Sequence, residues 1–247
     1  MKNKLKNFGL CYIFLISFFN NAEKFGDPGE IIAIKASSDD IDKYLTVEIN
    51  ESLYKLIPLP FEKQNKSIYV NDEKININQK DFGESRITIK NNSMVNLSKE
   101  DSDRAFKESK IIQKALNNYS KFLEPDLNFI SPVEGVISSR YGKKRYINNQ
   151  PRSPHLSLDI AAAEGTKIIS PSKGEVILVG DFFYSGNFIV IDHGFGLIST
   201  YSHLSSVLVK ENEFIKKGQK IGEVGSTGRV TGPHLHWTVY LLSLIHI

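Results

Sequence analysis

Histidines are concentrated in the last part of the chain. All six lie beyond residue 154, at His155, His193, His203, His234, His236 and His246. Histidine is the commonest metal ligand and a usual acid or base near neutral pH. His234 and His236 lie two residues apart within an apolar and aromatic run. Because such residues share one face of a β-strand, two imidazoles are expected side by side above one sheet surface.

His155 and Asp159 form a second candidate pair. Pro154 before them and Ile160 after them favour extended chain over a helix, and residues four apart in a strand also share a face. We therefore expect His155 and Asp159 to converge from one strand on His236 from another. Two histidines and a carboxylate, without a fourth protein ligand, are typical of a catalytic zinc site in which water completes the coordination.

Two further histidines, His203 and His234, remain for proton transfer and for stabilising charge in a transition state. Each motif alone is weak, because H-x-x-x-D and H-x-H also occur by chance. The alternative is that these are satisfied core or loop histidines, and this fits His193, for which we expect a loop hydrogen-bonding role. His246 is given no role. Taken together, the histidines favour a metal site.

Composition and charge exclude one class of partner. The chain of 247 residues is 40% hydrophobic and 24% charged, as in ordinary soluble globular proteins. Its net charge of +3 equals the contribution of Lys2, Lys4 and Lys6, which precede every acidic residue, so the rest of the chain is neutral. A neutral chain without a basic run predicts no nucleic-acid partner. The single cysteine, Cys11, leaves His and carboxylate as the expected metal ligands.

Residues 1–22 have the pattern of a secretory signal, with lysines followed by an apolar run over residues 8–19. This run is shorter than the roughly 20 residues that a spanning helix needs. Residues 20–22 lack a clean small-x-small cleavage pattern, so an uncleaved anchor remains an alternative. We expect an exported protein of the periplasm or cell envelope, or an extracellular one, that contacts a membrane only through this segment.

A small, non-catalytic β-rich domain is predicted over residues 23–95. Segments 44–49, 67–70 and 86–90 alternate apolar and polar residues or are β-branched, and 71–74 read as a hairpin turn. Acidic residues such as Asp39, Asp40 and Asp42 are expected in a solvated loop. Ser98, three residues before Asp101, predicts the start of a helix that connects two domains over residues 96–125 and ends at Pro125.

The C-terminal domain, residues 126–247, is predicted to be antiparallel. Short strands with turn signals between them are expected at 135–138, 158–161, 174–180, 188–191, 197–201, 220–224 and 236–240. Spacing of about ten residues is typical of a sandwich or barrel. The predicted fold is therefore mainly β: a smaller N-terminal β-rich domain, a connecting α-helix and a C-terminal antiparallel sandwich or barrel-like domain.

Four segments resemble the lysostaphin/LytM-type zinc metallopeptidases. They are residues 153–161 (SPHLSLDIA), 186–194 (GNFIVIDHG), 201–204 (YSHL) and 225–236 (GSTGRVTGPHLH). The resemblance covers about residues 130–240 and implies antiparallel sheets around a groove that acts on peptide cross-links of bacterial peptidoglycan. His155, Asp159 and His236 match the family's zinc ligands, and His203 and His234 its two other active-site histidines. The N-terminal domain and helix resemble those of envelope-targeted members.

The sequence departs from the family pattern in two places. Ser157 replaces the usual glycine of H-x-G-x-D, and we expect the small serine to preserve the ligand turn. After Tyr240 the family continues with further strands, whereas this chain closes on residues 241–247. We expect a truncated or foreign tail there.

The resulting hypothesis is a peptidoglycan endopeptidase that uses one zinc ion. Arg140, Tyr141 and Tyr146 precede the first ligand and are candidates to line the groove or to donate a phenol to the oxyanion, although they also fit an ordinary loop. One alternative is an inactive LytM-type scaffold that binds and activates other cell-wall hydrolases, with envelope regulators as partners. Another is a lytic weapon against other cells.

Overall fold

The computed structural model describes residues 16–18, 23–90, 93 and 95–246. These fall into two compact units, Met1–Asp81 with Leu244–Ile247, and Phe82–Ser243. Within the described part of the chain, no helix is long and apolar enough to cross a membrane. The predicted secretory segment lies outside the described residues except for one short strand, Ile16–Phe18.

The first unit contains two small sheets. Its strands are β1 (Ile16–Phe18), β2 (Lys24–Gly26), β3 (Ile31–Lys35), β4 (Thr46–Ile49), β5 (Ser52–Pro58), β6 (Lys66–Val70) and β7 (Glu73–Ile77). One sheet has the order β1-β3-β5-β4 and the other β2-β7-β6. β-Branched side chains suit a pleated, buried surface, and the core is accordingly Ile32, Ile34, Ile57, Leu59, Ile75 and Ile77.

The predicted hairpin turn in this unit is confirmed. β6 and β7 pair from Val70↔Glu73 outward, which leaves Asn71 and Asp72 as a two-residue loop. Both loop residues have positive φ, 47° and 62°. This is the conformation that a type I′ turn requires and that Asn and Asp tolerate.

The prediction that Asp40 lies in a solvated loop is wrong. Asp40 is only 2% exposed, and Nζ of the equally buried Lys55 lies 3.1 Å from its Oδ2. Burial would raise the pKa of the Asp40 carboxyl, but hydrogen bonds from Ser37, Lys55 and Asn71 outweigh it and lower the pKa to about 2. The Asp40 carboxylate is therefore ionised and paired with Lys55 in the interior of the first unit.

The second unit begins with β8 (Glu84–Ile87) and the only α-helix of the described residues, α1 (Lys99–Leu116). Ser98 caps α1, since its Oγ accepts a hydrogen bond from the Asp101 amide at 3.0 Å. The predicted helix end at Pro125 is wrong by nine residues. Asn118 and Ser120 instead donate hydrogen bonds to the Asp192 carboxylate, at 2.7 and 2.5 Å, which fixes this stretch outside the helix.

Twelve further strands complete the chain. They are β9 (Val136–Ser139), β10 (Lys143–Ile147), β11 (Gln150–His155), β12 (Leu158–Ala161), β13 (Lys167–Ile169), β14 (Gly174–Phe182), β15 (Gly186–Gly194), β16 (Leu197–Val207), β17 (Phe214–Ile215), β18 (Lys220–Val224), β19 (His234–Leu241) and β20 (Leu244–His246). All seven strands predicted for the C-terminal domain are confirmed in position. The other five, β10, β11, β13, β17 and β20, were not predicted, and β10 and β11 have polar sequences that lack an apolar alternation.

The main sheet of the second unit is antiparallel and has the order β17-β14-β15-β16-β19-β12-β9, with β18 pairing β16 and β13. A smaller sheet, β11-β10-β8, contains a parallel pair, since Lys144 of β10 aligns with Glu84 of β8. The second unit thus begins at Phe82, ahead of the predicted boundary at 95/96. The assignment of functional domains stays a prediction.

The alternation of β19 positions the site. Leu235, Trp237 and Val239 are buried in the core of the main sheet. Because successive side chains in a strand point to opposite faces, His234 and His236 lie on the other face, where a cleft opens.

Candidate metal centre

The three predicted metal ligands lie in three different strands. His155 is the last residue of β11, Asp159 lies in β12 and His236 lies directly opposite Asp159 in β19. The prediction that His155 and Asp159 share one strand is wrong, because Leu156 and Ser157 interrupt the extended chain between β11 and β12. The structure nevertheless brings the two side chains together.

Oδ1 of Asp159 is the centre of the cluster. It lies 3.0 Å from Nε2 of His155, 2.7 Å from Nδ1 of His236 and 3.8 Å from Nε2 of His234. One candidate ligand atom from each of His155, Asp159 and His236 lies within 4.8 Å of the other two. Ligand atoms of a tetrahedral zinc site are roughly 3.3 Å apart, given metal–ligand distances of about 2.0 Å. The observed spacing is compatible with a small divalent cation.

His155 provides a direct test of that fit. Its Nδ1 lies 3.2 Å from the carbonyl oxygen of Arg140, which can only accept, so Nδ1 donates, and in the neutral ring Nε2 carries a lone pair. The buried Nε2 has no hydrogen-bond partner and faces Asp159 Oδ1 at 3.0 Å. Two electron-rich atoms at this separation repel unless a cation lies near both. The donor set therefore fits a metal ion.

The electrostatics of the cluster favour an ionised Asp159. Burial opposes the charge, but the close contacts with the rings of His155 and His236 outweigh burial and hold the pKa of Asp159 well below its usual range. Burial also lowers the pKa of His236, against the opposing effect of Asp159. A carboxylate beside neutral imidazoles is the protonation state that metal binding requires.

His203 and His234 lie next to this cluster. Their ring centroids are 4.9 Å apart, and His203 is 5.6 Å from His236. Nδ1 of His203 donates to the Thr227 carbonyl at 2.9 Å, and Nδ1 of His234 donates to the Gly232 carbonyl at 2.8 Å. In the neutral form, a ring held in this way carries its lone pair on Nε2, where an imidazole can accept a proton.

The backbone and burial of His203 are unusual. Its φ of 67° lies in the left-handed region, which non-glycine residues seldom adopt and which is enriched at functional sites. Burial, together with repulsion from His236 and His234, lowers the pKa of His203 to about 3. The side chain is neutral at pH 7.

A second group of three could also hold a metal ion. Ligand atoms of His203, His234 and His236 lie within 4.8 Å of one another, and this group shares His236 with the first. The two sets differ in charge, because only the first contains a carboxylate. They also differ at His155, whose buried Nε2 lacks a partner.

The cluster lies at the base of a cleft of about 490 Å³. The lining includes Arg145 and Arg229, neither of which was singled out from the sequence. Arg145 lies in a polar strand of ordinary pattern, whereas Arg229 lies within segment 225–236, which contains His234 and His236, a position that offered a signal. Arg229 stacks on Tyr184, with 4.1 Å from its guanidinium carbon to the ring centroid.

The residues predicted to line the groove lie elsewhere. Arg140, Tyr141 and Tyr146 are absent from the lining of the cleft. Arg140 contributes its backbone carbonyl to His155, Tyr141 is buried, and the ring of Tyr146 lies under the Arg86 guanidinium at 4.1 Å. Their neighbour Arg145 faces the cleft because side chains alternate along β10.

Two other predicted features have structural explanations. His193 lies in strand β15 and not in a loop, fully buried between the Lys173 carbonyl and Ser199 Oγ, each at 2.7 Å. Ser157 does not have a positive φ, so the position needs no glycine. Its hydroxyl is 2.7 Å from Oγ1 of Thr238, which joins the turn between the ligands to β19.

The fold and the site define a β-sheet protein with a histidine–carboxylate cluster of the metal-binding kind. Comparison with known families gives the same class. Residues 153–243 match the model of peptidase family M23. This match confirms the resemblance to LytM-type peptidases that the four sequence segments carry.

Individual relatives support this assignment. Peptidoglycan DD-endopeptidase ShyA of Vibrio cholerae is 41% identical over 102 residues, which are 41% of this chain and 24% of ShyA. Murein hydrolase activator NlpD of Escherichia coli is 33% identical over 109 residues, 44% of this chain and 27% of NlpD. A solved structure from Pseudomonas aeruginosa assigned to peptidase M23 is 27% identical, with a TM-score of 0.69 over 89% of this chain and 91% of its own.

The curated relatives are matched only in part. The aligned region spans about a quarter of ShyA and of NlpD. What those proteins do as wholes is therefore a basis for proposals about this chain.

Proposed function

We propose that this protein is a zinc-dependent endopeptidase that hydrolyses peptide cross-links of bacterial peptidoglycan. The observation that carries the proposal is the buried Nε2 of His155, which faces the ionised Asp159 and lacks a hydrogen-bond partner. ShyA, a relative with a matching domain, is named for endopeptidase activity on peptidoglycan. We also propose that the protein is exported and acts in the periplasm or cell envelope.

His155, Asp159 and His236 hold the zinc ion in this proposal. The charge of Asp159 offsets part of the charge of the cation. The Arg140 carbonyl fixes the ring of His155 through its Nδ1, which leaves Nε2 for the metal. Bound zinc supplies Lewis acidity that polarises the scissile carbonyl and acidifies water.

His203 and His234 move the proton. One accepts the proton of the attacking water at Nε2, and the other donates a hydrogen bond to the developing oxyanion. Backbone carbonyls hold Nδ1 of both rings, so Nε2 is the atom of each ring that acts on the substrate: the accepting ring is neutral, and the ring that donates to the oxyanion carries a proton on Nε2 as well. Proton acceptance by one ring and later return to the leaving amine completes the hydrolysis.

The alternative is a scaffold that activates other cell-wall hydrolases. The specific observation in its favour is the relative NlpD, which is named as a murein hydrolase activator. Retention of the His155, Asp159 and His236 cluster argues for the enzyme, because a scaffold has no need of a polarised metal centre.

Digestion of purified peptidoglycan by the zinc-loaded protein distinguishes the endopeptidase from the scaffold. The released muropeptides are read by mass spectrometry, with and without a chelator, for the wild type and for Asp159→Asn. An enzyme converts cross-linked dimers to monomers in a chelator-sensitive way, and Asp159→Asn abolishes the conversion. No conversion by a folded protein that contains about one zinc, together with stimulation of a second hydrolase, would favour the scaffold.

A further inference from the structure

Two guanidinium groups in the cleft have no anionic partner. Arg145 and Arg229 both line the cleft that contains Asp159 and the histidines. Among the described residues, neither side chain makes a hydrogen bond or an ion pair. Both are half-buried. An arginine presents five donors in a rigid fork, so each of these groups offers several unused donors to a ligand in the cleft.

The neighbouring Arg152 is bound differently. It is the cross-strand partner of Arg145 in β11 and β10, but its guanidinium donates to the carbonyl of Val95 at 3.2 Å and to Gln150 Oε1 at 2.6 Å. Arg152 is absent from the cleft lining. Of the three half-buried arginines in the described part of the chain, the two that face the cleft are thus the ones without partners.

Asp159 does not accept a hydrogen bond from either Arg145 or Arg229. Its charge acts on Arg145, but its Oδ1 is occupied by His155 and His236. Apart from the histidines, the charged side chains of the cleft lining are Arg145, Arg229 and Asp159. The cleft is thus positive around the site, and more so with a divalent cation bound.

We propose that Arg145 and Arg229 form a carboxylate-binding subsite that recognises an anionic group of the peptide next to the bond that is cut. Arginine binds carboxylates bidentately, and the stack of Arg229 on Tyr184 holds its fork in place before the ligand arrives. The inference rests on the proposed endopeptidase function and names its substrate class: cross-linked peptides that carry a free carboxylate beside the scissile amide.

The carboxylate has two possible sources, the residue on the amine side of the scissile bond or the stem on its acyl side. Synthetic cross-linked peptides distinguish them, with one carboxylate at a time converted to the carboxamide. The zinc-loaded full chain is assayed, and the readout is the ratio of kcat/KM for the carboxylate and carboxamide forms. This ratio does not change if a variant merely contains less active protein.

For the recognised carboxylate, the wild-type ratio is expected to be about tenfold or more, as charge-assisted bidentate hydrogen bonds provide. Arg145→Gln and Arg229→Gln should each bring the ratio toward one. Arg104→Gln is the matched control, because it removes an arginine that pairs with Glu108 on α1 outside the cleft, and it should keep the wild-type ratio. A wild type with no preference at either position, or variants with an unchanged ratio, would overturn the subsite.

Binding provides a readout that does not depend on catalysis. Acetyl-D-alanine and acetyl-D-alaninamide are titrated into the zinc-loaded protein and followed by NMR. Tighter binding of the carboxylate by the wild type, weakened about tenfold in Arg145→Gln and Arg229→Gln, supports the subsite even if no peptide is cleaved and the proposed function fails. Equal binding of the carboxylate by wild type and variants contradicts it, because a carboxylate held by zinc alone does not need the arginines.

Discussion

Asp159 and His236 face each other across β12 and β19, and Oδ1 of the one lies 2.7 Å from Nδ1 of the other. The strand register therefore sets the geometry of the cluster. Side chains in a strand alternate with a period of two, so a slip of one residue would bury His236 and expose Trp237 instead. The packing of Trp237 in the core is what holds His236 toward the cleft.

The two candidate ligand sets predict opposite results for zinc content. If His155, Asp159 and His236 hold the ion, Asp159→Asn should weaken zinc binding by at least tenfold, because it removes the only anionic ligand, whereas His203→Ala should retain the metal. Competition with a fluorescent chelator measures both. Retention of zinc by Asp159→Asn combined with loss by His203→Ala would assign the ion to the all-histidine set.

Gly186→Ala is expected to reduce activity without removing a ligand. Gly186 has a φ of 60°, and an added Cβ would clash with Thr227 and lie 2.6 Å from the amide nitrogen of Gly228. Displacement of Thr227 moves the carbonyl that orients His203. We expect kcat/KM to fall by about tenfold or more, in line with the cost of misplacing a catalytic group, with zinc content unchanged.

Gly165→Ala is the matched control for Gly186→Ala. Its φ of 84° imposes similar backbone strain, but nothing lies within 4 Å of an added Cβ. It should lower stability and leave kcat/KM near the wild-type value. Equal losses of kcat/KM in the two variants would show that backbone strain, rather than the position of Thr227, limits activity.

The hydroxyl pair between Ser157 and Thr238 is expected to stabilise the turn between the ligands. Both side chains are buried, and their oxygens are 2.7 Å apart. Ser157→Ala should lower the free energy of unfolding by about 1–2 kcal/mol, because it leaves the Thr238 hydroxyl without its partner. The double variant Ser157→Ala/Thr238→Val should cost less than the sum of the single changes in urea unfolding. Strict additivity would contradict a direct interaction.

Asp40 should make the first unit sensitive to acid. Its pKa is lowered from 3.8 to about 2 on folding, so the unfolded state binds the proton more tightly. The stability that it contributes is complete above pH 3.8 and is lost as the pH falls through about 2. Asp40→Asn leaves the Lys55 ammonium buried without a counter-charge, at a cost of about 3 kcal/mol at pH 7.

The difference in unfolding free energy between the wild type and Asp40→Asn isolates this group, since other titrating residues are common to both. Urea unfolding followed by circular dichroism from pH 7 to pH 2 should show a constant difference at first and a smaller one below pH 3.8. If this free-energy difference does not change over the pH range, ionisation of Asp40 does not contribute to the stability of the folded protein. Asp39→Asn, at a neighbouring acid outside the buried pair, is the control.

The features that could be predicted from the sequence are those that depend on residues close together along the chain. Alternation placed His234 and His236 on one face, and turn residues such as Asn71 and Asp72 marked the hairpin. What it did not reveal depends on distant partners. Asn118 leaves the helical pattern because Asp192 binds it, 74 residues away in sequence. Asp40 reads as a loop acid until Lys55 is folded against it, and polar β10 becomes a strand only because its neighbours pair with it.

The parallel pairing of β8 with β10 has a consequence for how the peptidase domain can be isolated. β8 covers one edge of β10, and its Ser85 and Ile87 contribute to the wall of the cleft. A fragment cut at residue 126, where the sequence alone places the domain start, would leave the amides and carbonyls of that edge exposed. Bare strand edges template association between copies, so such a fragment would tend to aggregate as well as lose part of its binding surface. We therefore expect the smallest fragment that folds on its own to begin upstream of the helix, as the second compact unit does.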